Sequence, residues 1–255
     1  MKAIMGMGRM GLVVLAGGIF LLPGMQGTSL AQEVSAECAA LADTMRRYAR
    51  VYQTGTQRLS EANHVFAIEM ARTGRLGKMH TAYAHIAPWD AAQMRHDWLP
   101  AVDEPPKDEV DWDAWLGPCP WRPFTPGYVS GGWRGHDDFH TSCIGEWGAH
   151  TFAQAQAGLD CGETSPVEYQ YVPNETGDGM VTTFASGVKM ILSRGDKYWH
   201  GSCGERFDGT EGWAAAADGY SKPDVSSPAL LTQFKKVVGE YVARTGRSLD
   251  HMRNF

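Results

Sequence analysis

The chain has 255 residues, 43% of them apolar and 20% charged, which excludes a disordered, collagen-like or coiled-coil polypeptide. A formal charge of −6 with no basic block excludes nucleic acid as the main partner. With 30 Gly, 13 Pro and 9 Trp, the protein is loop-rich and anchored by large aromatic side chains rather than a helical bundle.

The N-terminal stretch departs from that average, because every residue from Met10 to Gln32 is uncharged. Lys2 and Arg9 form a short positive region, Met10 to Leu22 is an apolar run, and Pro23 and Gly24 break it. Ser29-Leu30-Ala31 then sets small residues before a cleavage point, so residues 1–31 read as a secretory signal peptide. The apolar run is shorter than the about 20 residues that span a bilayer; an uncleaved anchor is the alternative, and no membrane contact is expected otherwise. The same stretch holds Gly6-Met7-Gly8-Arg9-Met10-Gly11, which fits the dinucleotide pattern G-x-G-x-x-G. That pattern requires a strand before it, an amphipathic helix after it and an acidic residue at the end of a second strand. Here the following segment is apolar all round, and Glu33, the first acidic residue, follows no strand. The leader reading places the mature chain in a secreted or periplasmic, oxidising compartment. Five cysteines, Cys38, Cys119, Cys143, Cys161 and Cys203, leave at least one unpaired in a monomer and match no zinc spacing. Each is expected to be a small buried side chain.

Ser35 is suited to cap a helix to about Arg50, with Cys38, Leu41, Ala42, Met45 and Ala49 on one face. Val51 to Thr54 reads as a short strand, and Ser60 as the cap of a second helix, Glu61 to Thr73, stopped by Gly74. Lys78 to Ile86 has strand character. From Ala87 to about Ser130 the chain is rich in Pro and Trp, either pinned onto a sheet or presenting a sugar-stacking or subunit surface. Ile144 to Gly158 reads as one buried helix. Strands follow at Pro166–Val172, Met180–Ala185, Val188–Ser193, Lys197–Ser202 and Trp213–Ala217, with hairpin turns at Ala185-Ser186-Gly187 and Asp208 to Gly212. Ser227 or Pro228 opens a last helix to about Thr245. The predicted fold class is α+β: an open, mainly antiparallel sheet with helices on one face, preceded by a partial α/β segment.

Several segments carry a resemblance. Glu37 to Ser60 (ECAALADTMRRYARVYQTGTQRLS) is similar to the end of the nucleotide-binding domain in the glucose–fructose oxidoreductase/inositol dehydrogenase/MocA (Gfo/Idh/MocA) family. Leu76-Gly77-Lys78 resembles the family's passage into its second domain. Asp111 to Phe124, Gly145 to Gln154 and Phe207 to Trp213 resemble its bacterial-type C-terminal domain. The resemblance covers roughly Glu37 to Phe255 and divides the chain into a leader (1–31), a remnant of a Rossmann domain (32–77) and a C-terminal sheet domain (78–255). Complete members use NAD(P) to oxidise or reduce a sugar-like hydroxyl or ketone, with a lysine in E-K-P and the aspartate and histidine of D-x-G-x-H handling protons.

In this chain the second motif reads Glu146-Trp147-Gly148-Ala149-His150, with glutamate in place of aspartate. Residues four apart lie on one helix face, so Glu146 and His150 are expected to share a pocket, where the carboxylate would raise the imidazole pKa. No Lys stands between Lys2 and Lys78, so the E-K-P lysine has no counterpart and no cofactor-binding residue is assigned. The expectation is a substrate and oligomerisation domain that does not hold NAD(P) by itself and takes a sugar or polyol ligand. It is also expected to pair with copies of itself through the sheet; a non-catalytic exported binding or assembly module is the alternative. His136-Asp137-Asp138-Phe139-His140 gathers potential metal ligands without a known spacing, so no metal is assigned. His136 and Asp137, with Trp133 and Arg134 beside them, read as a polar pocket rim contacting substrate. No G-x-S-x-G elbow is present, which argues against a serine hydrolase.

Overall fold

The computed structural model describes residues 28–86, 97–140, 142–162, 164–174, 177–194 and 203–254. Most of the predicted leader, the Gly6–Gly11 motif, Pro88-Trp89 and the strand expected at Lys197–Ser202 lie outside them. Helix α1 (Thr28–Arg47) starts before Ser35, because the intervening Leu30, Ala31, Gln32 and Glu33 are helix formers. It closes on Ala49 at a left-handed φ of 49°, with the Arg50 amide bonded back to the Met45 carbonyl. Ala49 is therefore a cap and not part of an apolar face. Val51 to Thr54 forms no strand: with no neighbouring strand to bond among the described residues, Val51 and Tyr52 are left exposed.

Ser60 does not cap the second helix. It ends a 3₁₀ turn (Gln57–Ser60), and the cap of α2 (Ala62–Arg72) is Glu61. Strand β1 (Met79–Ile86) follows and becomes the middle of a seven-stranded sheet. The others are β2 (Glu168–Asn174), β3 (Gly177–Thr183), β4 (Lys189–Arg194), β5 (Cys203–Gly209), β6 (Gly212–Ala217) and β7 (Asp224–Val225). Their order is β2-β3-β4-β1-β5-β6-β7, antiparallel throughout except where β1 pairs with β4. The turn residues are as expected: Gly187 supplies φ 83° between β3 and β4, and Gly212 φ 146° after β5.

Helices α2 and α5 (Gly148–Gly158) cover one face of this sheet, and α7 (Phe234–Thr245) packs against α2. Small residues at Ala82 and Ala84 of β1 and Ala214 and Ala216 of β6, all fully buried, let them approach closely. The last helix is two pieces, α7 and the preceding α6 (Pro228–Leu231), which Ser227 caps through the Ala229 amide.

The described part of the Trp-rich segment is not pinned onto the sheet. It builds a separate aromatic core from Trp112, Leu116, Phe124 and Tyr128. Asp111 caps the short helix α3 (Trp112–Leu116) by accepting from the Ala114 amide at 3.0 Å. The Trp112 ring stacks on Trp115 at 4.8 Å, and its Nε1 donates to the Arg122 carbonyl at 2.8 Å. Burying an indole requires such a partner for its N–H. Trp121 is 70% exposed and Trp98 41%, so the surface of this core is partly aromatic.

Candidate functional site

The helix expected over Ile144–Gly158 is broken at Trp147 into α4 (Ser142–Glu146) and α5. Gly148 sits at the break against Ile86 and Phe152; a Cβ there would stand 2.8 Å from the Phe152 ring. The break separates the tasks of Glu146 and His150. Glu146 turns to the aromatic segment, where its Oε1 accepts from Arg134 Nε at 3.0 Å and its Oε2 from His140 Nε2 at 3.1 Å. His140 Nδ1 accepts the Gly135 amide at 3.1 Å, which fixes its proton on Nε2. Burial would raise the Glu146 carboxyl, but hydrogen bonds from Arg134 and His140 outweigh it and hold the pKa below the usual range. The Trp133 ring lies under the Arg134 guanidinium at 4.5 Å, with its edge toward His140.

His150, in the first turn of α5, is half-buried, and its buried Nδ1 has no hydrogen-bond partner among the described residues. Its pKa is lowered, by burial first and then by the Arg58 charge; Asp218, Glu146 and Glu61 oppose this without winning. The expectation that Glu146 would raise it is thus corrected: the pull exists, but desolvation and a cation exceed it. Burial and the Arg58 charge both favour the neutral imidazole.

Arg58, in the 3₁₀ turn, grips Asp218 after β6 with two bonds, Nε to Oδ1 at 2.9 Å and Nη2 to Oδ2 at 2.6 Å. Deeper in, His64 of α2 donates from Nδ1 to Glu205 of β5 at 2.8 Å, and its Nε2 stands 3.9 Å from both Asp218 and Glu61. Glu205 is completely buried between Cys203 and Phe207, which share its face of β5. Burial disfavours charge on His64, but Glu205 and its neighbours outweigh it and raise the His64 pKa. Cys203 contacts Thr151 Oγ1 at 2.6 Å, and burial pushes its thiol up to about 12, which disfavours the reactive thiolate.

The sequence-predicted residues are therefore divided. Trp133, Arg134 and Glu146 come together, joined by His140. His136 is fully buried with Trp98 stacked on it at 4.6 Å, so it belongs to the aromatic core rather than to a pocket rim. Asp137 is exposed. Arg58, His64, Glu205 and Asp218 were missed, because their pairings span 141 to 160 residues. The one local signal was a glutamate at an inward position of an otherwise apolar strand face. Among the described residues, no group of three or more His, Cys, Asp or Glu side chains is placed to hold a metal. Cys38, Cys119, Cys161 and Cys203 are free thiols, and Cys38 is exposed, contrary to expectation.

A family model described as "Oxidoreductase family, C-terminal alpha/beta domain" matches residues 78–209. The chain belongs to the Gfo/Idh/MocA family. The matched span starts at β1 and ends with β5, so it holds both His150 and Glu205. No curated protein matches the sequence. Three similar solved structures are all oxidoreductases. One is aldose–aldose oxidoreductase from Caulobacter crescentus, complexed with glycerol (16% identity, TM-score 0.41, covering 86% of this chain and 62% of that one). Another is an inositol dehydrogenase homolog from Azotobacter vinelandii with NADH and myo-inositol (13%, 0.39, 86% and 62%). The third is the WlbA dehydrogenase from Chromobacterium violaceum with NADH and UDP-GlcNAcA (12%, 0.45, 86% and 61%). The chain thus spans about three fifths of the length of these Gfo/Idh/MocA structures.

A dinucleotide would need backbone amides at a glycine-bearing strand-to-helix turn. Among the described residues α2 is entered from a 3₁₀ turn and α5 from α4, and neither offers that turn. No described residue is assigned to NAD(P). No helix among the described residues is long and apolar enough to cross a membrane.

Proposed function

We propose that this chain supplies the sugar- or polyol-facing half of an oxidoreductase site, with His150 as the base that takes a hydroxyl proton from substrate. The observation that carries this is the Nδ1 of His150: a buried ring nitrogen with no hydrogen-bond partner among the described residues, on an imidazole whose pKa burial lowers. A buried polar atom left unpaired is costly, and a ligand hydroxyl is the group that would satisfy it. Glu146 stays ionised and keeps Arg134 in place, so the guanidinium and the Trp133 ring offer hydrogen bonds and a stacking face to a polyhydroxylated ligand. His136 is excluded from contact by its burial. NAD(P), in this reading, is held outside the described residues or by another polypeptide. The complexes of the Azotobacter and Chromobacterium proteins with NADH support that cofactor class.

The test is calorimetric titration of the full-length protein with a panel of sugars and polyols, alone and with NAD(H) or NADP(H), beside His150→Asn. Saturable binding that weakens at least tenfold in His150→Asn is expected. Binding that is indifferent to this substitution would overturn the assignment. Binding unaccompanied by turnover under every cofactor condition would favour the non-catalytic module.

A second reading concerns assembly. The sheet face opposite the helices carries half-buried Val181, Ile191 and Tyr83 side by side in register, an apolar stripe suited to pairing with a second copy. Ile191→Asp is expected to lower the mass measured by light scattering; an unchanged mass would refute it. Export of the chain is likewise proposed from the leader pattern, and N-terminal sequencing of the mature protein after Ala31 tests it.

A further inference from the structure

The segment that carries Arg58 is held from an unexpected side. Gln53 Nε2 donates to the His251 carbonyl at 2.9 Å, and His251 Nε2 meets the Thr54 carbonyl at 3.0 Å. A carbonyl only accepts, so Nε2 carries the proton in neutral His251 and Nδ1 is left as an acceptor. The buried Ser60 hydroxyl faces that Nδ1 at 3.1 Å and therefore donates to it. Asn254 Nδ2 in turn donates to Ser60 Oγ at 3.1 Å, while its Oδ1 takes the Ser248 amide at 2.7 Å. Every bond runs in one consistent direction, from Asn254 through Ser60 to His251. These residues are nearly 200 positions apart, with 191 between Ser60 and His251. The turn they hold, Gln57–Ser60, packs on α5, the helix of His150.

We propose that Ser60, His251 and Asn254 are positioning residues: they clasp segment 53–60 against the His251–Asn254 turn and thereby set where Arg58 stands beside His150. The bidentate Arg58–Asp218 pair is the middle link. The charges that act on His150 are those of Arg58 from the turn, Asp218 from beyond β6, Glu61 from the start of α2 and Glu146 from α4. Arg58 is the cation among them, and the clasp is attached to its backbone two residues away. Releasing the clasp leaves Arg58 held only through its side chain, so the cation is expected to stand less closely to His150. The relevance of this to proton transfer rests on the role proposed for His150, but the physical link does not.

The experiment follows the imidazole resonances of His150 by NMR over a pH titration of the full-length protein. It compares wild type with His251→Ala, Ser60→Ala, Arg58→Met and the double variant Arg58→Met/His251→Ala. Near-UV circular dichroism reports that each retains its tertiary structure, and Ser60→Ala serves if His251→Ala does not fold. His150 is expected to titrate at higher pH in His251→Ala and Ser60→Ala, to rise further in Arg58→Met, and to show no added rise in the double variant. An unmoved His150 in both clasp variants, with a shift in Arg58→Met, would overturn the clasp. An unmoved His150 in Arg58→Met would overturn the electrostatic link itself. Sugar binding that depends on His150 would survive either result, so the two readings fail separately.

Discussion

Gly158 closes α5 directly above Phe207, and the substitution Gly158→Ala tests how tightly the helix carrying His150 is seated. A Cβ at this position would lie 2.2 and 2.3 Å from two carbons of the Phe207 ring. Carbon atoms pack at about 3.5–4.0 Å, so the ring or the helix must move by roughly an ångström. The ring has nowhere to go: Phe207 is fully buried and flanked in register by Ala82 and Ala214, themselves fully buried. Overpacking of this kind costs up to about 3 kcal/mol, while the better helix propensity of alanine returns about 1 kcal/mol. A net loss of about 2 kcal/mol lowers the melting temperature of a domain this size by about 4–8 °C. Thermal unfolding followed by circular dichroism measures it. Phe207→Leu shortens the ring, so the double variant should be less destabilised than the two single losses together. A melting temperature at or above wild type in Gly158→Ala would show that the helix is not seated as described.

The His64–Glu205 pair gives a prediction in pH. The raised His64 pKa means that His64's contribution is full below the ordinary histidine range and is lost as pH rises through the folded value, while burial raises the Glu205 carboxyl and limits the pair at the acid end. In Glu205→Gln the main charge partner is gone and burial of His64 is opposed only by Glu61 and Asp218, so the slope is expected to shrink or reverse. Urea melts between about pH 5 and 9 read both slopes, and parallel slopes in the two proteins would refute the pairing. Glu205→Ala, which leaves His64 buried without its partner, is expected to cost about 3–5 kcal/mol. Trp112→Ala empties the centre of the aromatic core and is expected to cost about 3–5 kcal/mol, with loss of near-UV dichroism. A small effect would mean that the indole is not part of a packed core.

Much of the fold was legible because it rests on short-range signals. The strand-forming runs at β1 and β6, the hairpin glycines at 187 and 212 and the serine at 227 each act within a few residues. The expectation failed where a local preference lacked its partner. Val51–Thr54 has strand composition but no neighbouring strand among the described residues, and Ser60 has a capping side chain already committed to His251 and Asn254. The Trp-rich segment could not be placed from its composition, since aromatic residues suit a surface, a sheet or a core of their own. For the site, E-x-x-x-H spacing identified Glu146 and His150 but not their environments. Helical spacing fixes which residues share a face only while the helix is continuous, and it is not continuous at Trp147.

The sequence by itself determined the α+β class, the motif at Glu146–His150 and the family likeness, because each depends on residues close together in the chain. The tertiary structure alone decided the chemistry of that motif. It gave Glu146 to Arg134 and His140, and it brought Arg58 and Asp218 toward His150 and buried Glu205 against His64. The physical reason is that charge and desolvation act through space, and the groups responsible are contributed by segments far apart along the chain.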